Sequence, residues 1–350
     1  MRTTRYRRLL RYAAVTAALT AAAATTAACS FPGAHGDTGS SADGVTTVRY
    51  QGSADQVTLP ELADALGFFH GKIKLDFVGD TISGPQDIQS VATDQADIGE
   101  AFTGAVVKLV DAGAPITGVV TSYGSDARSF EALFVKNDSP IESVHDLIGK
   151  KIAVNTLGAN YEAFIDTYLE RGGLTPSQVK QVQLVVLPPN NTEEAIRKGE
   201  VDAGVLTGVL QDHAIAAGDL RVLETDTKLV GSYNGGQYVL RDGWIKSNPA
   251  AAKTLVTGIA KAIRWEQKTP RATVIAKMNE IIESRHRNEN TDLTKFWKSA
   301  GIATPGGYIR PQDFTLWESW LKYTGVLHGA LTPSKYFTNS LNGLYSGASS

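Results

Sequence analysis

The feature that most constrains this chain is a rhythm that starts at Val45 and runs twice: a short apolar strand, a polar turn with a helix-start signature, a helix, then another short strand. Val48-Arg49-Tyr50-Gln51 reads as the first strand. Thr58-Leu59-Pro60-Glu61 then opens a helix, with Thr58 as N-cap, Pro60 in the first turn and Glu61 placed to answer the cap. Ile73 to Val78 alternates at period two. Ser83-Gly84-Pro85-Gln86 repeats the helix-start spacing, and Asp97 to Ala101 and Ile116 to Ser122 read as further strands. The second run has a cap at Ser143-Val144-His145-Asp146, a strand at Lys151 to Asn155 and a Thr175-Pro176-Ser177-Gln178 start. A strand at Val182 to Leu187, a helix opening at Asn191-Thr192-Glu193-Glu194 and a strand at Asp202 to Leu206 complete it. Strands separated by helices must pair in parallel, so the class is α/β.

The two runs echo each other. Ser90 to Gly99 followed by Phe102-Thr103-Gly104 matches Ile196 to Gly204 followed by Leu206-Thr207-Gly208: helix, tight turn, Asp-x-Gly strand, Thr-Gly loop. Beyond Tyr238-Val239-Leu240 the chain turns helical, from Asn248-Pro249 to about Thr269. A later stretch, Asp313 to Tyr323, carries Phe314, Trp317, Trp320 and Leu321 at helical spacing, which is a core pattern.

The beginning of the chain differs in kind. Arg2, Arg5, Arg7, Arg8 and Arg11 precede an apolar run from Ala13 to Ala24, and Thr26-Ala27-Ala28-Cys29 follows. A basic start, a short apolar middle and small residues before a cut make a secretory signal over residues 1–28. The run is shorter than the roughly 20 residues a membrane span needs. Cys29 is the only cysteine, which excludes an internal disulfide, a cysteine-based zinc site and an iron–sulfur cluster. Its position resembles a bacterial lipobox, with Thr26 where Leu is usual, so Cys29 is the expected lipidation site; an ordinary signal peptide is the other reading. Residues 29–44 are rich in Gly and Ser and read as a tether. Without the five arginines the chain has 29 basic against 36 acidic groups, a net of −7, which gives no electrostatic case for nucleic acid.

Catalytic patterns are missing from the sequence. There is no GxxxxGK[ST], no GxGxxG opening a helix and no Gly-x-Ser-x-Gly, and none of His35, His70, His145, His213, His286 and His328 has metal-ligand spacing. No cofactor, no metal and no enzymatic activity are expected.

Ala132 to Ile141 with Asp146-Leu147-Ile148-Gly149-Lys150-Lys151-Ile152-Ala153-Val154, together with Gly199 to Gly204 and Asn248-Pro249-Ala250, resembles the nitrate/sulfonate/taurine-type solute-binding proteins of ABC importers, which include thiamine-pyrimidine binders. The resemblance covers about residues 46–270. It implies a type II periplasmic-binding-protein fold: two lobes joined by two hinge strands, with a ligand cleft between them. The crossings would lie near Phe130–Lys136 and Tyr233–Leu240. Lobe 1 would hold residues 45–135 with 236–350, and lobe 2 residues 136–235. The implied role is that of a monomeric, lipid-anchored extracytoplasmic lipoprotein. It would capture a small polar molecule (a sulfonate, nitrate or an aminopyrimidine-like compound) and hand it to an ABC permease served by a separate ATPase. A sensor subunit reporting to a membrane kinase is the alternative.

Ligands of open α/β sheets sit beyond the carboxyl ends of the strands. That rule selects Gln51, Ser53 and Asp55 after the first strand, Ser83 and Gly84 after the second, Glu100, Phe102 and Thr103 at the third, and Tyr123 after the fourth. In the second run it selects Thr156, Gly158, Asn160, Tyr161, Asn190 and Thr207, with Tyr233 and Asn234 on the second crossing. Glu100 is unusual there, since a carboxylate repels an oxyanion. Either it meets an N–H donor or cation of the ligand, or it bonds neighbouring backbone or Arg128.

Overall fold

A computed structural model describes residues 44–345. The signal peptide, the tether and Cys29 lie outside the described residues. The chain lays down β1 (Thr46–Gly52), α1 (Leu59–Ala65), β2 (Ile73–Asp80), α2 (Gly84–Ala92), β3 (Ile98–Phe102), α3 (Thr103–Asp111) and β4 (Ile116–Ser125). It then builds β5 (Glu131–Lys136), β6 (Lys151–Val154), α4 (Asn160–Arg171), α5 (Pro176–Val179), β7 (Gln183–Val186), α6 (Pro189–Lys198), β8 (Ala203–Thr207), α7 (Gly208–Ala217), β9 (Leu220–Thr225) and α8 (Asp226–Val230). It returns through β10 (Tyr233–Arg241) and continues with α9 (Asp242–Ser247), α10 (Pro249–Lys268), α11 (Arg271–Arg285), α12 (Pro311–Thr315) and α13 (Glu318–Tyr323). Among the described residues, no helix is long and apolar enough to cross a membrane.

Two five-stranded sheets result, in the orders β2-β1-β3-β10-β4 and β7-β6-β8-β5-β9. Pairing is parallel in β1–β2, β1–β3, β6–β7 and β6–β8, as the alternation requires. Each sheet also carries one antiparallel strand near its centre: β10 between β3 and β4, and β5 between β8 and β9. β5 pairs only within the second sheet, so the chain passes between sheets in residues 126–130. The return is made in residues 231–232, before β10 begins.

The echo in the sequence has a physical basis. Asp97 accepts the backbone N–H of Arg49 at 2.8 Å and a two-pronged bond from its guanidinium. Asp202 accepts the N–H of Lys151 at 2.9 Å. Each aspartate thus ties its strand to the neighbouring one. Two residues on, a glycine lets a helix lie on the strand: a Cβ at Gly99 would come 2.8 Å from the Asp87 carboxylate of α2, and one at Gly204 would come 2.7 Å from Thr192 of α6.

Local signals hold at Thr58, which forms a reciprocal capping box with Glu61, and at Thr175 with Gln178. Ser83 is the N-cap of α2, but its side chain makes no capping bond. The helix expected to open at Asn191 begins at Pro189, whose fixed φ suits the first turn. The Asp313–Tyr323 stretch breaks into α12 and α13, with Phe314, Trp317, Trp320 and Leu321 all buried. These aromatics seal one face of the first sheet: Trp317 packs edge-on against Phe102 at 5.0 Å and Tyr233 at 5.6 Å. The other face is covered by Leu255, Ile259 and Ile263 of α10.

Candidate functional site

The carboxyl ends of β1, β2, β3 and β4 face those of β6 and β8 across a cavity of about 480 Å³. Ser53, Asp55, Ser83, Gly84, Glu100, Phe102 and Tyr123 line it from the first sheet; Asn160, Tyr161, Asn190 and Thr207 line it from the second. Gln51 sits beside a smaller cavity of about 20 Å³ that it shares with Asp87, Glu100 and Tyr238.

The other residues selected by the strand-end rule do not line the large cavity. Thr103 donates to the Gly235 carbonyl at 3.1 Å and accepts from Gln237 Nε2 at 2.8 Å, fastening α3 to β10. Tyr233 donates to Asp226 at 3.0 Å. Asn234 is fully buried against the chain beyond α11, donating to Asp313 at 2.8 Å and accepting the Ala303 N–H at 3.0 Å. Gly158 gives its N–H to Glu162, and the preceding Asn155, rather than Thr156, faces the cavity.

Several lining groups lay outside the strand-end selection. Tyr238 stands opposite Glu100 in the β3–β10 pairing, and Glu131 stands opposite Thr207 in the β5–β8 pairing. Glu266 of α10 and Asp87 of α2 also line the cavity, as does Trp297 from the segment after α11. The antiparallel strands put Tyr238 and Glu131 there, and nothing in the local sequence signals that insertion.

The electrostatics are set by carboxyl groups. Asp87 accepts the Glu100 N–H at 2.7 Å through one oxygen, while its other oxygen is buried without a partner. Burial pushes the Asp87 carboxyl up to about 8; the Glu100 amide opposes the rise and the Glu100 charge adds to it. Burial also raises Glu100, against the hydroxyls of Ser122 and Tyr238. Arg128, a conceivable partner for Glu100, pairs with Asp126 at 3.1 Å and bonds Ser299 instead. Glu131 accepts the Asn160 amide through Oε1 and leaves Oε2 unpartnered. Burial and the nearby Asp226 charge lift it well above the usual carboxylate range. Burial alone takes Glu266 up to about 8.

A raised carboxyl favours the folded state fully only below the ordinary glutamate value of about 4.3; that contribution is lost as pH climbs to the folded value. Ionised Glu266 is therefore a burden that a glutamine would not carry. Glu266→Gln is expected to gain stability relative to the wild type between about pH 5 and pH 8, read as a growing difference in urea midpoints. A difference that stays flat over that window would show that Glu266 titrates normally.

Three contacts reach across the cavity's flanks. Lys298 pairs with Asp212 of α7, and Phe296 meets the His213 ring edge-on at 5.3 Å. On another side, Trp320 Nε1 donates to Asp166 of α4 at 2.9 Å. The segment that carries Phe296 and Lys298 also presents Thr294 and Trp297 to the cavity, so it forms part of the wall.

A family profile described as NMT1/THI5 like matches residues 57–273. A relative from Escherichia coli (strain K12), whose name assigns it to aliphatic sulfonate binding, is 24% identical over 197 residues. That match covers 56% of this chain and 59% of the relative, so the chain spans less than two thirds of its length. Among solved structures, the periplasmic nitrate-binding protein of Synechocystis PCC 6803 superposes with a TM-score of 0.65 at 14% identity, covering 85% of this chain and 87% of that one. A desulfurization enzyme superposes with a TM-score of 0.56 at 16% identity, over 84% of this chain and 97% of that one. At these identities the structures establish the fold, which is that of periplasmic binding proteins. The same architecture serves a binder and an enzyme.

Proposed function

This chain belongs to the NMT1/THI5-like family, and from that premise we propose that it is the solute-binding component of an ABC importer. Residues 44–125 with 231–345 form one lobe and residues 131–230 the other, with hinges at 126–130 and 231–232. A small molecule enters the open cleft and touches Ser53, Ser83, Glu100 and Tyr123 on one side and Asn155, Asn160, Tyr161 and Thr207 on the other. The lobes close over it, and the closed form docks on a permease driven by a separate ATPase. The molecule leaves unchanged. The basic start, the apolar run and the lone Cys29 support secretion, with lipid on Cys29 tethering the body to the outer face of the membrane.

The observation that carries this reading is the cavity itself: strand tips of both sheets line it, and the passages between the sheets are two short segments. Ligand binding then changes the angle between lobes. Small-angle scattering of the purified chain is expected to show a smaller radius of gyration once a low-molecular-weight extract from a bacterial culture is added. A molecule recovered from the complex should have the same mass as one recovered from the untreated extract. Identical scattering profiles with and without extract would overturn capture by closure, and a changed mass would make the chain an enzyme.

A further inference from the structure

Resting on that capture reading, we propose that the cargo is a small organic cation that donates N–H hydrogen bonds, of the amidinium, guanidinium or protonated-amine class, held between Glu100 of the first sheet and Glu131 of the second.

The lining of the cavity has one sign. Asp55, Asp80, Asp87, Glu100, Glu131 and Glu266 contribute to it, and among the described lining residues there is no Lys, Arg or His. The polar atoms left without partners point the same way. Glu131 Oε2, Asp87 Oδ1, Glu266 Oε2, Asn155 Oδ1 and Asn160 Oδ1 are buried carboxyl and amide oxygens, and Ser122 Oγ is a hydroxyl that can accept as well as donate. Glu131 is 4% exposed and Asp87 is 3% exposed, so water at the rim does not reach them freely. The Asn160 orientation is fixed by its amide, which donates to Glu131 Oε1. A nitrate or sulfonate brings further acceptors and would leave these oxygens unpaired; a group with several N–H donors pairs them.

Helix N-termini also open onto the cavity and favour negative charge. The chain satisfies part of that preference itself. The Glu100 N–H is given to Asp87 in the first turn of α2, and the Gly158 N–H ahead of α4 is given to Glu162. The remaining walls carry Tyr123, Tyr161, Tyr238 and Trp297, whose ring faces attract a flat cation.

A protonated carboxyl can donate to an oxyanion as well, and proton linkage separates the two cases. Glu100 is faced by Asp87 from α2, by Ser122 and Tyr123 from β4 and by Tyr238 from β10. Glu131 is faced by Asp226 from α8, Asn160 and Tyr161 from α4, Tyr123 from β4 and Tyr233 from β10. None of these is basic. A bound cation draws a carboxyl into its charged form and expels the proton, so affinity rises with pH. A bound oxyanion needs the proton, so its affinity falls.

Titration calorimetry of the full chain tests this with benzamidinium and methylguanidinium as cation probes and nitrate and ethanesulfonate as anion probes. The result expected is that a cation probe binds and tightens between pH 6 and pH 8, by up to about tenfold per unit for one linked proton. Both anions should fail to compete. Glu100→Gln and Glu131→Gln keep the size of the side chain and should each weaken the cation probe about tenfold or more, with melting curves confirming that the variants fold. Binding of either anion more tightly than the cations, affinity that falls as pH rises, or glutamine variants within twofold of wild type overturns the cation assignment. So does silence of all four probes. None of these outcomes removes the scattering change with extract, which tests capture separately.

Discussion

Gly236→Ala is expected to lose both stability and probe binding. A Cβ at position 236 would stand 2.3 Å from Cε1 of Tyr123 and 2.8 Å from the Ala101 carbonyl oxygen. Neither neighbour can move cheaply. Position 236 pairs with Phe102 of β3 on one side and with Tyr123 of β4 on the other, so β10 is held from both edges. Either the strands part or the Tyr123 ring swings into the cavity it lines. Overfilling of this kind costs about 1–3 kcal/mol, and the second escape also blocks the ligand. Urea denaturation and calorimetry with the cation probes should both register the change. Gly243→Ala is the control: no atom lies within 4 Å of its Cβ position, and it sits in α9, where alanine is the better helix former. If the 236 variant matches that control in both measurements, β10 is looser than its pairing implies.

Asn234→Ala is expected to be the other large loss, through stability alone. The side chain is fully buried and works as a clasp. Its amide nitrogen donates to Asp313 at 2.8 Å and Thr304 at 3.1 Å, and its oxygen accepts the Ala303 N–H at 3.0 Å. Alanine removes these bonds, and a longer one to the Tyr308 carbonyl, from a fully buried position, at about 0.5–1.5 kcal/mol for each bond lost, while Asp313 Oδ2 keeps the Arg310 N–H. The urea midpoint should fall, while the pH dependence of probe binding keeps its slope because Glu100 and Glu131 are untouched. Lost binding at unchanged stability would instead return Asn234 to the cleft.

These two residues show where the sequence is legible. Local chemistry reads well: the Thr58 and Thr175 caps, the Asp-x-Gly echo at Asp97 and Asp202, and the turn residues Ser53, Ser83, Asn160 and Thr207 all announce the end of one element and the start of the next. Glycine, serine and threonine serve turns and ligands alike, so Thr103 fits the pattern of a binding residue while it fastens a helix to a strand. Pairing across long separations is silent in the sequence. Leu240 and Ile98 are partners, yet nothing near either residue says that β10 wedges between β3 and β4. That silence hides Glu131 and Tyr238, which reach the cavity only because β5 and β10 run antiparallel beside the strand tips. Glu266 is hidden differently: on the amphipathic α10 a lone glutamate reads as part of the wet face, and only the tertiary packing turns it inward.

The place of β10 also orders the birth of the molecule. Every strand of the second sheet lies between residues 131 and 225, so that sheet can be completed from one continuous stretch. The first sheet cannot: β3 and β4 have no strand between them until residue 241 has been made, and the aromatics that roof them arrive later still, with α12 and α13. A chain made from its N-terminus starts one half first and finishes it last. A nascent chain stopped short of residue 233 would thus carry one finished half and one half with open edges, vulnerable to proteases and to self-association until the final third is made.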